Sequence, residues 1–203
     1  MNSHDVGGAT EDGWETVSNT LVYESVHLQI ASKKVRSPAR PEPHDWTVAH
    51  RKTAVVVAPM TEDRSLVLIR QERIPILATL WELPAGQIDH EQDGDTGSAE
   101  EVARRELREE TGYEIAPGGE LIPLGDFFSS PGFTDERAFL FLARPVQLSA
   151  GGPQHSESES ILDCRTFTTA QISAMIAANE IRDANTLAVF ARMVARGFLS
   201  LAG

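Results

Sequence analysis

Apolar positions in this chain follow two rhythms, a period of two in its first half and a helical period towards its end. Leu21-Val22-Tyr23 and the alternating Val26, Leu28 and Ile30 predict a hairpin or meander near the N-terminus. The stretch Ser37-Pro38-Ala39-Arg40-Pro41-Glu42-Pro43 is predicted to be a loop, because proline removes ladder donors and fixes φ. Strands are predicted at 46–50, 53–58 and 65–70. The last two are nearly unbroken apolar runs, as expected of strands covered on both faces. Trp81-Glu82-Leu83-Pro84-Ala85-Gly86 reads as a strand end breaking into a Pro/Gly turn. Ser98-Ala99-Glu100-Glu101 is a capping-box signature for a helix, and Gly112 supplies the left-handed residue that ends it. Strands at 121–128, 137–143 and 161–167 follow, then helices over about 169–179 and 183–199. In the last helix Leu187, Phe190, Ala191, Val194 and Phe198 form an apolar stripe of the core-packing kind, with Asp183 as its cap.

This order of elements suits an α/β/α sandwich with a mixed sheet and a small N-terminal β subdomain. Residues 1–13 are polar and glycine-containing, and are expected to form a disordered tail. Residues 14–50 are expected to form the β subdomain, and residues 51–203 the main domain. A chain of 203 residues can bury a real core. Its net charge of −12 argues against a nucleic-acid backbone as partner, since phosphate contacts need a basic surface. A small phosphorylated substrate stays open if bound cations neutralise the site. Cys164 is the only cysteine, so no internal disulfide can form, which suits a cytoplasmic setting. No apolar run reaches transmembrane length, and the N-terminus lacks the order of a signal peptide. No membrane partner is expected.

The candidate chemistry lies in Arg104-Arg105-Glu106-Leu107-Arg108-Glu109-Glu110-Thr111-Gly112-Tyr113. At about 100° per residue, Glu106, Glu109 and Glu110 share about a third of the helix circumference. Like charges at this spacing repel. A hard divalent cation with oxygen ligands would offset that repulsion. An Arg/Glu-rich helix is more often a plain solvated surface, and Glu101, Arg104 and Arg108 on the opposite face fit that description. The flanking turns distinguish the other face, because they would bring the Ala85–Gly86 backbone beside the carboxylates.

The segment resembles the Nudix box of the Nudix hydrolases: glycine, five residues, glutamate, seven residues, then R-E-U-x-E-E-x-G-U with U aliphatic or aromatic. Arg105 to Tyr113 match at every position. The first half is longer than the pattern, because Arg105 follows Gly86 by nineteen positions rather than fourteen and Gly97 stands where the first glutamate belongs. An insertion in the acidic loop at 90–97 accounts for the difference. Within the superfamily the resemblance is closest to ADP-ribose pyrophosphatases and related nucleoside-diphosphate-sugar hydrolases. Four further segments carry it: Ile69-Arg70-Gln71-Glu72-Arg73, Trp81 to Gly86, Ser130-Pro131-Gly132-Phe133-Thr134-Asp135-Glu136, and Glu180-Ile181-Arg182-Asp183-Ala184-Asn185-Thr186-Leu187.

The resemblance implies hydrolysis of the diphosphate of ADP-ribose or a similar nucleoside diphosphate sugar. Glu106, Glu110 and the Ala85 carbonyl would hold magnesium, with manganese as its substitute, and Glu109 would be a further ligand or hold metal-bound waters. Arg105 would orient a carboxylate. The general base would come from the loop at 151–160, as Glu157 or Glu159, with Glu157 preferred because it lies deeper in the loop. His155 is read as a bystander. Arg51, Arg70 and Arg73 are placed to meet phosphate or adenine through planar guanidinium contacts. Glu82 would meet the nucleotide or pair with one of these arginines, and Glu136 would face the substrate. Trp46 and Trp81 could stack on a base, but buried packing is the expectation for each. A homodimer with exchanged N-terminal subdomains is implied as well. The alternatives are another sugar nucleotide, such as ADP-glucose or GDP-mannose, and a Nudix-fold sensor that binds a nucleotide without cleaving it.

Overall fold

The computed structural model describes residues 10–88, 98–153 and 160–200. The chain forms two compact units. One holds the residues up to Lys52 together with Phe128–Arg137, and the other holds Thr53–Phe127 and the residues from Ala138 onward.

The first unit contains an antiparallel sheet of β1 (Glu15–Glu24), β2 (Gln29–Ser37) and β3 (Arg40–His50), in that order. The predicted N-terminal hairpin is present. The predicted proline loop shrinks to a turn at Pro38–Ala39, because Pro41 and Pro43 lie inside β3. β3 is an edge strand, and an edge position tolerates missing ladder donors that a central strand could not lose. The β2–β3 register shifts between Val35 and Ser37, close to these prolines, and Arg36 Nε donates to the Pro41 carbonyl at 2.6 Å. Trp46 is 48% exposed, so its expected burial is overturned. Ala31 is the one buried side chain among the described residues of this sheet.

The second unit is built on a mixed seven-stranded sheet. Its strands are β4 (Ala54–Thr61), β5 (Leu66–Arg73), β6 (Ala78–Glu82), β7 (Ala85–Gln87), β8 (Tyr113–Phe128), β9 (Arg137–Leu148) and β10 (Ile161–Phe167). The order is β10-β5-β4-β9-β8, with β6 added to β5 and β7 added to β4. β4 and β9 run parallel, whereas β7 lies antiparallel to β4, and β6 and β10 antiparallel to β5.

Strand parity assigns the two faces. Val55, Val57, Val67, Phe141 and Ala143 pack with Val102, Ala103 and Leu107 of α1 (Ala99–Thr111). The alternate residues Val56, Ala58, Leu66, Leu68, Leu140 and Leu142 pack with α2 (Thr169–Ala177) through Ile172 and Met175. They also pack with α3 (Ala184–Ala195) through Val189, Phe190 and Met193. The two layers of helix make this unit an α/β/α sandwich, the class expected from the sequence. Full burial of a side chain such as Leu107 contributes about 2 kcal/mol.

The helices begin and end where their caps dictate. Ser98 and Glu101 form the reciprocal capping box of α1, and Gly112 closes that helix at φ 72°, donating its N–H to the Arg108 carbonyl. In α3 the apolar face is displaced from the predicted stripe. Phe190 is buried as expected, but its buried neighbours are Thr186, Val189 and Met193, while Ala191 and Val194 are exposed. The sequence pattern omitted Thr186 because its hydroxyl marks it as polar, yet Asp183 and the Leu83 backbone satisfy that hydroxyl inside the fold. No helix among the described residues is long and apolar enough to cross a membrane.

Candidate active site

The hydrogen bonding of β7 determines what that strand can offer. Val57 N–H donates to the Pro84 carbonyl at 3.0 Å, and Ile88 N–H donates to the Thr53 carbonyl at 2.9 Å. In an antiparallel ladder bonded pairs alternate with unbonded ones. Val55 opposite Gly86 is therefore a bonded pair, and Val56 opposite Ala85 is not. The N–H and C=O of Ala85 consequently point off the β4 side. The N–H donates to Glu110 Oε2 at 2.8 Å. The carbonyl lies on the same outward edge.

Gly86 sits opposite Val55, whose side chain belongs to the α1 face, so a side chain at 86 would project towards α1. Glu106 already fills that space. A Cβ at Gly86 would lie 2.6 Å from Glu106 Cγ and nearer still to its carboxylate. Glycine is required here for close approach, not for an unusual φ. Glu106 and Glu110 are both buried, one turn apart, on the β7 side of α1. Arg105, half-exposed, donates to Glu106 Oε1 at 2.8 Å. Glu109 is only half-buried, and Glu101, Arg104 and Arg108 are exposed, as expected for the solvated face.

Among the described residues no three His, Cys, Asp or Glu side chains gather as a metal-binding set. The structure instead offers a pair of buried carboxylates and a backbone edge. That donor set is all oxygen, and the missing Gly86 side chain leaves the carboxylate against the main chain. A hard divalent cation fits such a cradle.

Beside this edge, Arg73 and Glu82 form a forked ion pair, with Arg73 Nε 3.0 Å from Glu82 Oε1 and 3.1 Å from Oε2. Of the two roles left open for Glu82, the structure shows the pairing. Burial raises the Glu82 carboxyl above its ordinary value, and Arg73 offsets part of that rise. Arg73 holds its own proton more tightly than usual, first through its bond to Glu82, with Asp183 and Glu110 adding to the field. Arg70 donates to Thr79 Oγ1 at 3.1 Å. Trp81 is partly buried and packs edge-on against Phe167 at 4.9 Å. Thr186 Oγ1 accepts from the Leu83 N–H beside this pair, and Asp183 in turn accepts from Thr186. The sequence named Asp183 as a helix cap and Thr186 only within a longer matching segment, and a threonine three residues after a capping aspartate was the available signal.

Arg51 and Glu136 lie in the first unit, where Arg51 Nε is 3.1 Å from Glu136 Oε1. Glu136 Oε2 also accepts from Ser129 Oγ at 2.6 Å, and His50 pairs with Asp135. Glu157, Glu159, His155 and the insertion at 90–97 lie outside the described residues. At the near side of residues 154–159, a Cβ on Gly112 would come within 2.8 Å of Pro153, and Ser149 N–H donates to the Gly112 carbonyl at 2.8 Å.

The NUDIX domain family model matches residues 49–190. An ADP-ribose pyrophosphatase of Bacillus subtilis (strain 168) is 30% identical over 172 residues, which cover 85% of this chain and 88% of that protein. A GDP-mannose pyrophosphatase of Citrobacter koseri is 33% identical over 135 residues, covering 62% of this chain and 64% of that protein. A solved structure described as an ADP compounds hydrolase superposes with a TM-score of 0.73 at 18% identity, covering 95% of this chain and all of that one. That last likeness concerns the fold.

Proposed function

This chain belongs to the NUDIX domain family, and from that premise we propose that it hydrolyses the diphosphate bond of ADP-ribose or a related nucleoside diphosphate sugar. The products would be AMP, or the corresponding nucleoside monophosphate, and a sugar phosphate. The observation that carries this reading is the seating of the α1 carboxylates on the β7 backbone, with Glu106 against Gly86 and Glu110 on the Ala85 N–H. The similarity to an ADP-ribose pyrophosphatase over most of both chains supports the substrate class.

Glu106, Glu110 and the Ala85 carbonyl would hold a divalent cation, magnesium with manganese as its substitute, and Glu109 would be a further ligand. Bound there, the cation would neutralise diphosphate charge and acidify water. Arg105 keeps the Glu106 carboxylate turned into the cradle through a charge-assisted bond. Arg73, held by Glu82, presents a guanidinium of fixed orientation to phosphate, and Arg70 adds a second positive charge on the same strand. Arg51 and Glu136 are assigned to substrate binding and Glu157 or Glu159 to the general base. The proposal includes a homodimer with exchanged N-terminal subdomains and a cytoplasmic setting.

A second reading keeps the chemistry and changes the sugar nucleotide to ADP-glucose or GDP-mannose. The similarity to a GDP-mannose pyrophosphatase favours it. The test is hydrolysis of a nucleotide-sugar panel with and without magnesium, comparing wild type with Glu110→Gln. ADP-ribose is expected to rank high. The variant is expected to lose about 10²-fold or more in kcat while melting near wild type, since glutamine still accepts from Ala85 N–H. Wild-type inactivity across the panel, with nucleotide still bound, would favour a sensor.

A further inference from the structure

Three successive residues of the turn into β7 are tied to three different elements. The N–H of Leu83 donates to Thr186 Oγ1 on α3 at 2.9 Å, the Pro84 carbonyl accepts from Val57 on β4, and the Ala85 N–H is held by Glu110 on α1. Leu83 and Thr186 are fully buried, so a lost bond there could not be replaced by bulk water. The threonine hydroxyl has one proton to give. It gives that proton to Asp183 Oδ2 at 2.8 Å, and the same oxygen accepts the Thr186 N–H at 2.7 Å. With its proton committed, Oγ1 can act towards Leu83 only as an acceptor. Asp183 thus sets the polarity of a short relay running from the α3 N-cap to the turn.

We propose that Thr186, oriented by Asp183, is a positioning residue for the metal-binding edge, clamping Leu83-Pro84-Ala85 so that the outward backbone of Ala85 stays in register with Glu106 and Glu110. The clamp comes from the opposite layer of the sandwich: α1 packs on one face of the sheet and α3 on the other. Pro84 has no N–H and a fixed φ, so it transmits the position of Leu83 to Ala85 with little slack. This inference rests on the hydrolase reading for its functional consequence, and the relay itself can be tested without it.

The test compares Thr186→Val, which keeps the shape and deletes the relay, with Thr186→Ser, which keeps the hydroxyl. Three quantities are read: amide hydrogen exchange at Leu83 and Ala85 without metal, affinity for Mn²⁺ alone, and kcat and KM for ADP-ribose. Thr186→Val is expected to speed exchange at both amides by about tenfold or more, weaken Mn²⁺ binding by about tenfold and lower kcat similarly, with KM within about twofold. Thr186→Ser is expected to stay within about twofold of wild type throughout. Unchanged exchange in Thr186→Val overturns the clamp. Faster exchange with wild-type Mn²⁺ affinity and kcat overturns its role at the site. Wild type that neither binds Mn²⁺ nor hydrolyses the panel sinks the hydrolase reading and this role with it, while the exchange data still report on the clamp. If Thr186→Val does not fold, Asp183→Ala takes its place, with about threefold losses expected in the same measurements and no loss overturning the proposal.

Discussion

Substituting Gly86 by alanine isolates the closest contact in the site. Gly86 has no left-handed φ to defend, so the added methyl acts by collision alone. It would stand 2.6 Å from Glu106 Cγ and nearer still to its carboxylate, whereas unbonded carbons settle at about 3.5–4.0 Å, so at least about 1 Å must be recovered. β7 has little room to move, because on either side of Gly86 the Pro84 carbonyl is bonded to β4 and the Ile88 N–H to Thr53 just before it. Glu106 must therefore yield, and at 6% exposure it has few empty directions and an Arg105 bond to lose. Overpacking of this size costs about 1–3 kcal/mol. For a chain of this length that lowers Tm by about 2–12 °C. If Glu106 holds the metal as proposed, displacing its carboxylate by about 1 Å or more is expected to reduce kcat/KM on ADP-ribose by about 10²-fold and Mn²⁺ affinity by at least about tenfold. The assays are thermal melting, Mn²⁺ titration followed by electron paramagnetic resonance, and initial-rate kinetics. Gly132→Ala is the control, since nothing lies within 4 Å of where its methyl would stand and its φ is ordinary. A Gly86→Ala enzyme with wild-type Mn²⁺ affinity and kcat/KM would refute the placement of Glu106 in the metal cradle.

Other perturbations probe the surroundings of the cradle. Arg73→Ala leaves the buried Glu82 carboxylate without its forked partner; because Arg73 is itself 41% exposed, the expected loss is only about 2 kcal/mol, and adding Glu82→Gln should recover most of it in a denaturant melt. Gly112→Ala meets both a φ of 72° and Pro153 at 2.8 Å, so it should destabilise by more than the roughly 1 kcal/mol expected for Gly118→Ala, which has φ 80° and open space. Equal melting shifts for the two would refute the close passage. The Cys164 thiol is pushed up to about 11, first by burial and then by the charges of Asp163 and Glu110. It should alkylate slowly at neutral pH. Because the folded value exceeds the ordinary 9.0, this group's contribution to stability is complete below pH 9 and is lost as pH rises through 11.

The legible parts of this chain were those whose signals are local. The capping box at Ser98 and the closing glycine at 112 bounded α1 because each acts within one turn of chain. The unbroken apolar runs of β4 and β5 announced strands covered twice. What escaped depended on neighbours distant in sequence. β7 has three residues, too few to show a period, and its ladder exists only because β4 is beside it. The prolines of β3 read as loop residues until the strand is known to lie at an edge. The reason for a glycine at 86 becomes visible only once Glu106 is placed against it. Likewise Glu82 could be named as a candidate, but its choice of Arg73 as partner needed the folded side chains, because the β5–β6 register sets Ile69 opposite Glu82 and Arg73 four positions along.

The capping box has a consequence for how this protein can change. Upstream of it, Ile88 is buried and bonded to Thr53, which fixes the end of β7 independently. Downstream, Glu106 lies eight residues beyond Ser98 and Glu110 twelve, so both are placed by helix geometry counted from the cap. Chain added or removed between Ile88 and Ser98 leaves that count unaltered. The phase of the two carboxylates is thus set by Ser98 and the position of β7 by Thr53, each without reference to the other.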